Sequence, residues 1–122
     1  MSYDITIVDK DTKEPIFIET PHGIRGGTHA IDGTKELWMN ITYNYAPFFR
    51  EVFKDYGEGG IHCLNGMPVA ETMKWIDEAI RKLKDDVSYN YWEPTEGNAK
   101  ASLICLYRLA ELGKDGIWEI DG

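Results

Sequence analysis

No stretch of this chain comes near the roughly 18 consecutive apolar residues that a membrane-spanning helix needs, and none is expected. The start, Met1-Ser2-Tyr3-Asp4, has neither a basic segment nor an apolar core and opens directly on a strand pattern, so no secretory leader is read there and a cytoplasmic location is expected. Cysteine is scarce: Cys63 and Cys105 are the only 2. Isolated cysteines without secretory context are most simply reduced thiols. Positive charge is short as well, with 13 basic against 21 acidic residues and a net charge of −8. That balance opposes direct binding to nucleic-acid phosphates, which takes clustered Lys and Arg, and it opposes attraction to anionic membranes. It is compatible with a basic protein partner, although the acids are spread along the chain rather than arrayed in a block.

Catalytic and metal-binding signatures are missing too. His22, His29 and His62, with Cys63, do not show the spacing of a zinc site, so no metal is expected. No Ser stands in a nucleophile elbow, and the adjacent pair His62-Cys63 is poorly placed for one side chain to activate the other. No pair of carboxylates is singled out for acid–base work. The expectation is a protein without catalytic residues and without a cofactor, not an enzyme.

What is present is a core. The chain has 122 residues, 43% hydrophobic and 12% aromatic, which suits one globular domain rather than two or a disordered chain. Residues 4–8 and 14–19 are short β-type runs separated by the polar segment Asp9-Lys10-Asp11-Thr12-Lys13, which predicts an N-terminal hairpin. Residues 24–31 predict a further strand, weakened by Gly26-Gly27. Asp32-Gly33 is a turn dipeptide, and residues 36–45 predict the clearest strand.

The period then lengthens. Residues 46–55 predict a short helix opened by Pro47. Residues 68–84 predict a second, with Val69, Met73, Ile76, Ile80 and Leu83 on one stripe and i,i+4 pairs Asp77–Arg81 and Glu78–Lys82 on the other side. Residues 95–112 predict a third, with Thr95 as N-cap and Gly113 as C-cap. A short strand over residues 116–120 ends the pattern. The expected class is α+β: a mainly antiparallel sheet with three helices packed on one side.

Three segments carry candidate binding chemistry. In residues 36–45 the alternation puts Leu37, Met39, Ile41, Tyr43 and Tyr45 on one face, and Trp38, Asn40, Thr42 and Asn44 on the other. Asn is a poor strand former, so two on one face ask for a reason. They either contact a ligand or bond to neighbouring loops, with Asn44 placed to cap the next helix.

The second segment is Tyr89-Asn90-Tyr91-Trp92-Glu93-Pro94-Thr95-Glu96-Gly97-Asn98-Ala99-Lys100. It sets aromatic planes before a helix start, where amides and the dipole suit an anion. Its alternative is a packing staple, with Glu93 and Glu96 serving the dipole. The third, Pro21-His22-Gly23-Ile24-Arg25-Gly26-Gly27-Thr28-His29, is either a kinked strand or a phosphate contact, and it lacks the P-loop ending. The candidate ligand-binding residues are Arg25, Thr28, Asn40, Thr42, Asn44, Trp92, Thr95 and Asn98.

Three stretches, Gly26-Gly27-Thr28, residues 37–47 and residues 91–99, resemble a family of small bacteriophage and prophage proteins. The family pattern runs Gly-Gly-Thr, a Leu-Asn-Ile-Thr-Tyr-Asn-Tyr strand, Gly-Ile-Arg before a helix, a Tyr-Trp-Glu-Pro-Thr-Glu-Gly-Asn-Ala junction and a closing Asp-Gly-Val-Trp. The likeness spans almost the whole chain, and the strand and the junction are its specific parts. His29 and Ile61-His62 depart from it; an anion role for the family's Arg would here fall to Arg25 or Arg108.

The resemblance implies phage origin and a place in the host cytoplasm, and small accessory phage proteins often counter host defence. The leading expectation is therefore a binding protein that sequesters a small nucleotide-like ligand without chemistry. Asn40, Thr42 and Asn44 would read polar edges, Trp92 or Tyr91 would stack, and Thr95–Asn98 with Arg25 would meet phosphate. The alternatives are an acidic inhibitor of a host defence protein and a small nucleotide-modifying enzyme. Self-association into a homo-oligomer is left open.

Overall fold

Alternation decides the first strand. Tyr3, Ile5 and Ile7 alternate with Asp4 and Thr6, which gives one apolar row on one face. In the computed structural model, which describes residues 2–24 and 33–122, the strands are β1 (Ser2–Val8), β2 (Phe17–His22), β3 (Thr34–Glu36), β4 (Trp38–Thr42) and β5 (Ile117–Asp121). The helices are α1 (Ala46–Val52), α2 (Val69–Lys82) and α3 (Glu96–Leu112), with short 3-10 turns at Tyr43–Tyr45 and Gly60–Leu64. The segment holding Arg25, Gly26, Gly27, Thr28 and His29, and most of the expected strand over residues 24–31, lie outside the described residues.

β1 is the middle strand of an antiparallel sheet in the order β4-β1-β5, and β2 pairs with β3 in a second antiparallel pair. The register sets Tyr3 opposite Ile41, and Ile5 opposite both Met39 and Ile120, with Trp118 opposite Ile7. Those side chains form one core with Tyr45, Phe49, Leu64, Ile76, Leu103 and Leu106, so the helices cover this face. The reverse face carries exposed Asp4, Glu119 and Asp121. Burying a Leu, Ile or Phe side chain contributes about 1.5–3 kcal/mol, and this single core is the main source of stability. The chain is an α+β protein.

A polar relay of two hydrogen bonds is built into the core. The Trp118 indole N–H donates to Thr72 Oγ1 at 2.7 Å, and that hydroxyl donates to the Val69 carbonyl at 2.9 Å. The outer edge of β5 is covered by residues 65–69: Gly66 N–H bonds Trp118 O, Trp118 N–H bonds Met67 O, and Asn65 Oδ1 accepts Ile120 N–H at 2.8 Å. An edge closed in this way is not open to strand addition.

Several local expectations change. The N-terminal turn forms, with Asp9 Oδ1 accepting the amides of Asp11 (2.8 Å) and Thr12 (3.0 Å), but the hairpin stops at the Val8–Pro15 bridge. Pro15 has no amide to donate, and Phe17 onward pairs with β3 instead. β4 and β5 win the flanks of β1 because their Met39, Ile41, Trp118 and Ile120 extend its buried row, whereas Phe17 is left exposed.

The strand expected over residues 36–45 bends at Leu37 and ends at Thr42, whose Oγ1 caps the following turn by accepting Asn44 N–H at 3.2 Å. Asn44 therefore does not cap α1, whose N-cap position is Tyr45, with no side-chain bond. Asp77–Arg81 pairs at 3.1 Å, but Lys82 turns to Asp55 at 3.7 Å rather than to Glu78. Gly113 closes α3 at φ −131°, outside the left-handed region. A Cβ there would stand 2.8 Å from Leu37 Cδ1, so close packing, not turn geometry, calls for glycine.

Candidate functional site

The two most specific sequence stretches lock onto each other. α2 ends at Lys82 with Leu83 as its C-cap, and residues 84–94 lead to the N-cap Thr95 of α3. Thr95 Oγ1 accepts Asn98 N–H at 3.0 Å, and Gly97 N–H donates to Asp86 Oδ1 at 3.0 Å. A carboxylate at a helix N-terminus is favoured by the free amides and the dipole. Here the chain supplies that anion itself. Gly97 admits it: a Cβ at this position would lie 2.5 Å from Asp86 C and 2.5 Å from Val87 N, so the loop backbone could not cross the helix start above any other residue.

Asn98, only 5% exposed, holds the loop in shape. Its Oδ1 accepts Ser88 N–H at 2.9 Å, and its Nδ2 donates to Asn90 O at 2.9 Å and Glu93 O at 3.0 Å. Ser88 Oγ donates to the Glu93 carboxylate, and Lys100 Nζ meets Asp85 Oδ1 at 2.7 Å. The end of β4 then joins in. Thr42 N–H donates to Tyr91 Oη at 3.1 Å, Asn44 Nδ2 donates to Trp92 O at 2.8 Å, and the Tyr45 hydroxyl donates to Tyr91 O. Tyr45 and Tyr91 meet edge-on with ring centroids 5.6 Å apart. Burial first, and then the neighbouring Tyr91, hold the Tyr45 phenol above its ordinary pKa.

The structure thus places the candidate residues in two groups. Thr42, Asn44, Trp92, Thr95 and Asn98 are brought together in this one junction. Asn40 is on β4 opposite Asp4, 6% exposed, on the sheet face away from the helices. Arg25 and Thr28 lie outside the described residues. In the junction, the side-chain amides of Asn44 and Asn98 and the hydroxyls of Thr42 and Thr95 all bond to backbone groups of the protein. A cavity of about 210 Å³ remains between Tyr45, Ser88, Tyr91, Asn98 and Cys105. Drug-sized ligands usually occupy about 300 Å³ or more.

What the junction turns outward is apolar. Val87 is 68% exposed, Trp92 48%, and Tyr89 is fully exposed, all on the loop that Asn98 fastens. Sequence reasoning noted the aromatic run Tyr89-Asn90-Tyr91-Trp92 but not its division: Tyr91 turns inward to bond Thr42, while Tyr89 and Trp92 face water. It also missed Asp86, whose only signal is an acid placed 11 residues before the glycine it meets.

A second concavity, about 420 Å³, lies among Phe48, Val52, Lys54, Lys82, Leu83 and Glu96, with nothing in the local sequence pattern to announce it. Elsewhere, burial pushes the Cys63 thiol up to about 11, which keeps it protonated at neutral pH. Among the described residues no group of three His, Cys, Asp or Glu side chains is placed to hold a metal ion, and no helix is long and apolar enough to cross a membrane. In comparisons with known proteins, the chain matches no family model, no curated protein and no solved structure.

Proposed function

We propose that this protein acts by binding another protein, without chemistry of its own, through the loop that displays Val87, Tyr89 and Trp92. One observation carries the reading: large apolar side chains stand in water on a loop whose shape is fixed by side-chain bonds. Leaving Tyr and Trp exposed forgoes the free energy of burying them, and rigid aromatic anchors are the residues that dominate protein interfaces. They lose little freedom on docking, because the loop is already ordered.

Three side chains do not make an interface by themselves. A stable complex buries roughly 800 Å² on each partner, so neighbouring surface must take part. The net charge of −8 favours a basic partner by steering its approach. The resemblance to phage proteins directs the same proposal toward a bacterial defence protein as the target. Capture of a nucleotide-like ligand at the junction is the weaker reading, because the Asn44 and Asn98 amides already serve the loop backbone.

A photo-crosslinking amino acid at position 89, compared with one at the exposed turn residue Lys10, tests the proposal in bacterial lysate. The expected result is one adduct protein at position 89, absent at position 10 and lost on Trp92→Ala. No adduct at 89, or the same adducts at both positions, contradicts it.

A further inference from the structure

The groove of about 420 Å³ between α1, the end of α2 and the start of α3 takes no part in the docking loop, and its size falls within the range of small-molecule sites. Phe48, Val52 and Leu83 give it apolar walls, with Val52 and Leu83 buried and Phe48 half-buried. Its rim carries three carboxylates, Glu51, Asp55 and Glu96, against two ammonium groups, Lys54 and Lys82.

Both lysines are already engaged. Lys54 Nζ lies 2.8 Å from Glu51 Oε1, and Lys82 Nζ lies 3.7 Å from Asp55 Oδ2 and 6.0 Å from the centre of the Tyr56 ring. Glu96 is the rim carboxylate with no ion-pair partner among the described residues. An anion has little to meet here, because the nearby α3 amides of Gly97 and Asn98 are taken by Asp86 and Thr95. A cation carrying an apolar body fits the apolar walls and the one carboxylate left over once the two lysines are paired.

We propose that this groove binds a small organic cation, an amine on an aromatic or branched aliphatic frame, with the frame against Phe48, Val52 and Leu83 and the ammonium at Glu96. Apolar contact supplies affinity, and the unpaired carboxylate supplies the choice of charge.

Titration of the full chain with tryptamine and with indole-3-acetate tests this, since the two probes share a ring and differ in the sign of their charge. Two-dimensional NMR is the readout. The expected result is saturable movement of the Val52, Leu83 and Glu96 amide signals with tryptamine and at least tenfold weaker binding of indole-3-acetate. Glu96→Gln should weaken tryptamine by about tenfold, the effect of losing one charged hydrogen bond. Trp92→Ala should leave tryptamine binding unchanged, which separates this site from the docking loop. No saturable binding by tryptamine, signal movement elsewhere, or equal binding of the two probes to the unaltered protein overturns the proposal. So does an unchanged tryptamine affinity in folded Glu96→Gln.

Discussion

Replacing Asn98 with Ala removes one carboxamide and strands three backbone groups at once: Ser88 N–H, Asn90 O and Glu93 O. A hydrogen bond of this kind contributes about 0.5–1.5 kcal/mol net. Three of them sum to about 3 kcal/mol, a large part of the roughly 5–15 kcal/mol that holds a typical domain folded. At about 4 °C per kcal/mol for a chain of this size, the melting temperature should fall by roughly 12 °C.

Asn98→Asp sharpens the test. It keeps the acceptor for Ser88 N–H but turns an oxygen toward the Asn90 and Glu93 carbonyls in place of the two donated bonds, so at neutral pH it should cost at least as much as Ala. Urea unfolding read by tryptophan fluorescence and by circular dichroism gives both free energies. A loss below about 0.5 kcal/mol for Asn98→Ala, the range of ordinary surface changes, would refute the view that this side chain holds the loop.

Gly97→Ala should destabilise by several kcal/mol, although the same change in an open helix interior stabilises by about 1 kcal/mol; the new Cβ would meet Asp86 and Val87 backbone atoms at 2.5 Å, and chemical denaturation reads the sign. Cys63, with its thiol pushed up to about 11, should carry roughly a hundredfold less thiolate at pH 8 than an ordinary cysteine and react correspondingly slowly with iodoacetamide, as followed by peptide mass spectrometry. No disulfide joins Cys63 and Cys105, so native and reduced protein should have the same intact mass. The amides of Thr12 and Asp11 hold the Asp9 carboxyl below its ordinary pKa. Its stabilising effect is then full above the unfolded value and is lost as pH falls through the lowered one, so the melting-temperature advantage over Asp9→Ala should be present at pH 7 and shrink below about pH 4.

The parts of the fold legible in the sequence are those governed by short periods. Tyr3, Ile5 and Ile7 announce β1, Thr95 announces the start of α3, and the stripe from Val69 to Leu83 announces α2, because each signal lies within a few residues of its effect. The choice of partners for β1 was not legible in this way. It depends on which distant strands extend the buried row, and β4 and β5 are decided by Met39, Ile41, Trp118 and Ile120 rather than by the nearby Phe17.

The junction shows the same division. Two Asn residues on a strand-like segment and a Gly-Asn pair in the first turn of a helix stand out as unusual. What they bond to is set by loop geometry across 48 residues for Asn44 and Trp92, and across 11 for Gly97 and Asp86. The polar face read from alternation ends early for a related reason. Thr42 caps a turn instead of continuing the strand, so Asn44 leaves that face and reaches the loop.

The loop before α3 is closed and stiffened by its own side chains, which leaves Tyr89 and Trp92 as fixed outward anchors. Native-state hydrogen exchange at individual amides tests it most directly, because Thr42, Ser88 and Gly97 donate to side chains of Tyr91, Asn98 and Asp86 rather than to a helix or strand ladder. The structure predicts protection of these three amides comparable to that of the α3 interior, and loss of protection at Ser88 in Asn98→Ala. Exchange of all three at the rates of an unstructured peptide, while α3 stays protected, would mean that the loop is open and its anchors are not fixed.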